Sequence, residues 1–408
     1  MEMSVSELRT QFPILSRTVY GKPLVYLDNA ASAQRPEAVA ELWKRLSLEE
    51  NANIHRAVHH LAGLATDAYE GARDAVLAFL NASAREEIVF TSGATAALNL
   101  VAFSFGEAFV HEGDEIVVSV AEHHSNIVPW QMLCERKRAI LKVLDIHSDG
   151  TLAVEQLENL LTERTRIVAV SHISNVLGLV NPVKEIIEIC HRKNVPVLVD
   201  GAQGIVHQNV DVQALDCDFY AFSGHKLYAA TGTGVLYGKR KWLDAMPPYM
   251  GGGEMIATVS FNGTTYAPLP EKFEAGTQNF NAQPTWVPAI ELVKAMRADT
   301  SVQKEQEAIL DYVYKKLTED ERISLFGTHR STKIPLFSFA VKGAHHEDLA
   351  LILDKMGIAL RSGQMCAEPL MDRLGVTGLL RASFAPYNTL EEAEYFIKSL
   401  NKAINMLV

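Results

Sequence analysis

Short, nearly continuous apolar runs recur along the chain, with helical stretches between several of them, and this alternation restricts the fold more than any other feature. "EEIVF", "DEIVVSV", "ILKVLDI", "TRIVAV", "VPVLVD" and "CDFYAFS" read as strands too apolar to leave either face in water. "SGATAALNLVAFSF" reads as a glycine turn and a helix, with the strand before it ending at Phe90 and the helix beginning at Ala96. "AEHHSNIVPWQML" reads as a polar loop and a helix. The pattern implies an α/β fold with a mostly parallel sheet covered by helices on both faces.

The flanking segments differ. "SVSELRTQFPIL" has a serine cap and a glutamate in the first turn, so a short helix should end before Pro13. "LVYLDNAASAQRP" is a brief strand entering a small-residue loop. "EAVAELWKRLSLEENANI" and "RAVHHLAGLATDAYEGARDAVLAFL" are expected helices, with Pro36 opening the first. After about Thr277 come two long helices, a strand "KIPLFSFAV", a helix "HEDLALILDKMG", a strand in "LLRASFAPYN" and a final helix. At 408 residues the chain exceeds one typical domain. The expected division is an N-terminal segment, residues 1–25, packing near a smaller domain; a large domain, residues 26–290; and a smaller C-terminal α+β domain, residues 291–408. A net charge of −11 argues against broad nucleic-acid or anionic-membrane binding. The four cysteines, Cys134, Cys190, Cys217 and Cys366, are widely separated and form no CxxC, so neither a disulfide framework nor a metal site is expected. With no basic leader and no apolar run of transmembrane length, a cytoplasmic protein is expected.

Asp200 ends the run "VPVLVD", and Ser223, His225 and Lys226 follow "DFYAF". On adjacent strands these groups would meet where α/β sheets bind ligands. A carboxylate and an amine so placed suit a pyridine-ring cofactor, the lysine forming a Schiff base and the aspartate keeping the ring nitrogen protonated. The bland alternative is a surface lysine. "TSGAT" offers free N–H groups at a helix start and the Thr95 hydroxyl, an anion site if anything binds there. His123 could lie flat on a planar cofactor and relay protons near neutral pH, or the pair His123 and His124 could be merely structural. Arg361 and Arg381 could clamp a carboxylate or form an internal salt bridge. Cys366, in a polar loop near them, could be a nucleophile or a small buried hydrophobe.

Together "DGAQ", "SGHK", "EHHSNIVPW", "SHISNVLG" and "RSGQMCAEPLM" resemble the Suf-type, second-group cysteine desulfurases of the class V aminotransferase family, which are fold-type I pyridoxal-phosphate enzymes. The resemblance implies a large domain with a seven-stranded, mostly parallel sheet, a smaller C-terminal domain, and pyridoxal 5'-phosphate as cofactor. It implies that Lys226 holds the cofactor, Asp200 pairs with its ring nitrogen and Gln203 bonds its ring oxygen. His123 would stack on the ring, and Thr95, Ser223 and His225 would hold the phosphate, with Thr277 of a second copy. Asn175 and Arg381 would hold the substrate carboxylate, with Arg361 nearby. His55 and Arg56 would approach the neighbouring subunit's site in an obligate homodimer. L-cysteine would yield L-alanine, leaving sulfur as a persulfide on Cys366 for an acceptor of the SufE or SufU type, serving iron–sulfur cluster assembly. His346 resembles a histidine that engages zinc-containing acceptors. The departures are Ala94 where a threonine is common, Gln364 and Met365 where two histidines are usual, and Glu254 in place of a small polar residue. Selenocysteine lyase activity is the alternative; another class V lyase or aminotransferase, or a non-catalytic scaffold, ranks lower.

Overall fold

The structure, a computed structural model, describes residues 4–408. Residues 1–3 of the expected N-terminal segment lie outside it. Seven strands, numbered in chain order, form the main sheet: β1 Ile88–Thr91, β2 Glu115–Ser119, β3 Ile140–Leu144, β4 Thr165–Ser171, β5 Val197–Asp200, β6 Phe219–Ser223 and β7 Gly234–Gly238. Their spatial order is β1-β7-β6-β5-β4-β2-β3. Only β7 runs against its neighbours.

Successive side chains of each strand enter opposite cores, which is why the runs are apolar throughout. Val117, Val168, Val199 and Tyr220 join one buried cluster; Ile116, Ile167, Leu198 and Phe219 join another. The helices that cover these faces, with those mentioned below, are α1 Val5–Thr10, α2 Glu37–Leu48, α3 His60–Leu80, α4 Ala94–Phe109, α5 Trp286–Ala298, α6 Thr300–Glu319, α7 His346–Lys355, α8 Glu368–Leu374 and α9 Leu390–Leu407. α3 and α5 pack on the first face through Tyr69, Val76, Ile290 and Val293, and α4 packs on the second through Leu98, Val101 and Phe105.

Ser4 and Glu7 form the expected capping box, and α1 ends before Pro13. Two other helices are shorter than expected. α2 stops at Leu48, because Glu49 to Ile54 supply no further apolar stripe and the Asn53 side chain bonds the next backbone N–H instead. α3 starts at His60, with the His59 ring accepting the N–H of Ala62 as its cap. β1 runs to Thr91 and α4 begins at Ala94, so the intervening turn is tighter than expected.

A second, antiparallel sheet contains β8 Ile323–Phe326, β9 Leu336–Val341, β10 Arg361–Gly363 and β11 Leu379–Ser383, in the order β8-β9-β11-β10. α6, α7 and α9 back it through Ile309, Val313, Leu349, Phe396 and Leu400. Val25–Tyr26 pairs in parallel with Ile358–Ala359, and Arg9 of α1 bonds Glu392 and the Tyr387 carbonyl, while Leu8, Phe12 and Leu15 join the main-sheet core, so the N-terminal segment touches both units. We propose that the two units divide near Asp299, between α5 and α6, rather than at residue 290: Ile290, Val293 and Met296 all belong to the main-sheet core. Among the described residues no helix is long and apolar enough to cross a membrane.

Candidate active site

Thr91, Ser119, Ser171, Asp200 and Ser223 end their strands at one edge of the main sheet, the edge at which ligands bind in such folds. A cavity of about 300 Å³ opens there. Its walls bring together Thr95, His123, Asn175, Asp200, Gln203 and Ser223 with His225, Lys226, Arg361, Cys366 and Arg381. Thr277, His55 and Arg56 are not among them. Thr277 lines a separate cavity with Thr91, Ser92 and Ala96. His55 bonds Glu70 at 3.1 Å and Arg56 bonds Glu254 at 3.0 Å, which gives the unusual Glu254 a partner.

At the phosphate-like turn Gly93 adopts φ +152°, and the Ala94 N–H donates to Ser223 Oγ at 2.7 Å. The hydroxyl proton of Ser223 and the N–H groups of Thr95 and Ala96 remain available to an anion. Thr95 is exposed on that turn. His225 approaches Ser32 at 3.3 Å, and burial pushes its imidazole down to about 4.

Asp200 is 5% exposed and accepts the Ala202 N–H; burial raises its carboxyl above the usual range, opposed by that bond and by Lys226. Burial drops Lys226 to about 8, with Asp200 pulling the other way. Each group is costly alone and cheaper beside the other. Gln203 donates one amide hydrogen to the Ala30 carbonyl and keeps its second.

His123 departs from the sequence expectation that it titrates near neutral pH. Burial, reinforced by Lys226, holds it down to about 4. Its Nδ1 accepts the Ser125 N–H at 3.1 Å, so in the neutral ring the proton sits on Nε2. It is a flat hydrogen-bond donor rather than a base at neutral pH.

Both readings of the arginines have a part. Asp28, which sequence reasoning missed, takes Arg361 through both oxygens and Arg381 at 3.2 Å. Arg361 is therefore largely committed to an internal ion pair. Arg381 is 2% exposed, gives one hydrogen to the Asn175 carbonyl, and keeps a buried Nε with no partner among the described residues. Glu122 was also missed: it accepts from Asn126 and the Ser171 N–H and is raised by burial to about 7. A strand-end acid in "YLDNAAS" and another before the histidine pair were the available signals.

Cys366 is the one exposed cysteine of the four. Met365 and Cys366 both lie at φ near +55°, a conformation that costs roughly 1–2 kcal/mol per residue without glycine. Met365 is buried, and Gln364 donates to Glu368, so the two departures from the histidine pair serve packing and a local bond. His346 stacks on His345 and leaves a buried Nδ1 without a partner among the described residues.

The family description "Aminotransferase class-V" matches residues 25–396. The chain is 47% identical over the full length of both chains to a cysteine desulfurase of Enterobacter sp. (strain 638), and 44% identical, again over both full lengths, to a probable cysteine desulfurase of Vibrio cholerae. Among solved structures it is similar to the cysteine desulfurase CsdA (S-sulfonic acid) of Escherichia coli, with 41% identity, a TM-score of 0.90 and 99% of each chain covered. It is also similar to the apo cysteine desulfurase of Thermococcus onnurineus NA1, with 35% identity, a TM-score of 0.92 and 98% of each chain covered.

Proposed function

The chain belongs to the class V aminotransferase family and is a cysteine desulfurase, and we propose that Lys226, Asp200, Arg381 and Cys366 carry its reaction, with His123 assisting. The family implies pyridoxal 5'-phosphate, and the donor set fits it: a buried carboxylate and a buried amine face one cavity with an anion-binding helix start. Lys226 would hold the cofactor, Asp200 and Gln203 would bind its ring, His123 would cover its face, and Thr95, Ser223 and His225 would bind its phosphate. When bound, the cofactor would act as an electron sink at the substrate α-carbon.

The residues divide the remaining work. Arg381, through the guanidinium hydrogens that Asn175 and Asp28 leave free, and Asn175 bind the carboxylate of L-cysteine. A neutral Lys226 amine removes the α-proton, and its depressed pKa enlarges the neutral fraction over that of an ordinary lysine. His123 donates from Nε2 to the substrate. The Cys366 thiolate attacks the substrate sulfur: a bond forms to that sulfur, and the carbon–sulfur bond breaks. Its electron pair stays with the three-carbon fragment, which takes up protons and leaves as L-alanine. The persulfide sulfur then passes to an acceptor protein of the SufE or SufU type, for iron–sulfur assembly in the cytoplasm. A homodimer would bring the second copy's Thr277, His55 and Arg56 towards this cavity.

One observation carries the reading: the single exposed cysteine opens into the cavity that holds the buried Lys226 and Asp200. The relatives' names favour cysteine over the selenocysteine alternative. The test is alanine formation from L-cysteine by wild type and Cys366→Ala, following cofactor absorbance. Both should carry cofactor, and the variant should lose at least about a hundredfold in rate, as a missing nucleophile requires. Equal turnover would remove Cys366 from the mechanism.

A further inference from the structure

The loop around Cys366 is held from outside itself. Met365 and Cys366 both occupy the left-handed region, which side chains rarely adopt, so contacts must keep them there. One neighbour, His124, supplies two of those contacts, at Cys366 itself and two residues further on. The His124 N–H donates to the Cys366 carbonyl at 2.7 Å, and the His124 ring Nε2 accepts the Glu368 N–H at 3.0 Å. That N–H belongs to the first turn of α8, where a helix cannot satisfy it internally. Asn175 adds a bond to the Met365 carbonyl, and Met365 and Ala367 pack into the main-sheet core.

His124 opens the short 3-10 turn His124–Asn126, and its neighbour His123 is fixed by Ser125 of the same turn. One turn therefore sets both the imidazole in the cavity and the cysteine loop that faces it. We propose that His124 is a positioning residue: its ring docks the Cys366 loop on the large unit so that the thiol meets substrate held beside His123. The activity part of this rests on the proposed role of Cys366; the docking part does not.

The test uses the holoenzyme and three variants. Glutamine can place its side-chain oxygen near the Nε2 position, whereas asparagine reaches only as far as Nδ1 and alanine reaches neither. Hydrogen exchange across residues 361–371 should speed up about tenfold in His124→Ala and His124→Asn and stay near wild type in His124→Gln. In parallel, kcat for alanine formation should fall about tenfold in the first two, with KM and cofactor content within twofold, and recover in the third. If His124→Ala does not fold, the contrast between Asn and Gln still decides. Unchanged exchange in the short variants, or Gln behaving as Asn does, overturns the docking role. Changed exchange with unchanged kcat overturns the positioning role. Cys366→Ala, run alongside, separates these outcomes: full turnover there removes the thiol from the reaction and leaves the exchange result to judge docking.

Discussion

Lys226 shows how burial tunes a single group. An exposed lysine is almost wholly cationic at neutral pH, but burial lowers this one to about 8 despite Asp200. Capture of an aldehyde requires the neutral amine. Uptake of pyridoxal phosphate by the apo-protein should therefore accelerate as pH rises from 7 to 9, with a midpoint near 8, measured by the growth of cofactor absorbance. A rate still climbing steeply at pH 10 would mean an unperturbed amine. Lys226 and Asp200 were legible in the sequence because each stands beside turn residues at the end of an apolar run, and Cys366 because it lies in a polar, glycine-containing loop near two arginines. Asp28 was not: its importance arises only when Arg361 and Arg381 fold against it from more than 330 positions away.

Among the elements, β7 explains why the phosphate-like turn holds its shape. Gly234 stands opposite both Thr91 and Ser223 in register, and a Cβ there would collide with the Gly93 backbone. Gly234→Ala should cost about 1–3 kcal/mol in a denaturant titration and weaken cofactor binding, since the turn must move to relieve the overlap. Gly251→Ala, whose Cβ would meet open space, is the control and should leave both unchanged. Equal behaviour of the two would refute the packing argument. Six of the main-sheet strands were readable as apolar runs, most of them because both faces are buried, but β7 was not, being short and bounded by glycines, and neither were β8 and β10, which are short and only partly buried. The hairpin of Ile256–Ser260 and Gly263–Tyr266 was also unread: almost every residue is exposed, so no alternation marks it, and its signal was the Asn262-Gly263 pair.

For the whole molecule, buried His172 links stability to pH. Burial holds its ring at about 4, below the ordinary 6.5, with Nδ1 in contact with the Tyr220 hydroxyl. The unfolded chain thus binds the proton more readily than the folded one. The stability tied to this group is complete above about pH 6.5 and is lost as pH falls towards 4, up to about 3 kcal/mol. Denaturant midpoints should drop between pH 7 and 4.5, and His172→Gln should show a shallower drop whatever its stability at pH 7. An identical slope in the variant would assign the acid loss elsewhere.

The sequence by itself determined the layered α/β architecture and the strand-end groups, because burial on two faces and turn chemistry are local properties written in neighbouring residues. Only the tertiary structure decided which charges pair, which imidazole stays neutral, and what clamps the cysteine loop. Desolvation and hydrogen bonding depend on what surrounds a group in space, and for His123, Asp28 and Cys366 those surroundings come from distant parts of the chain.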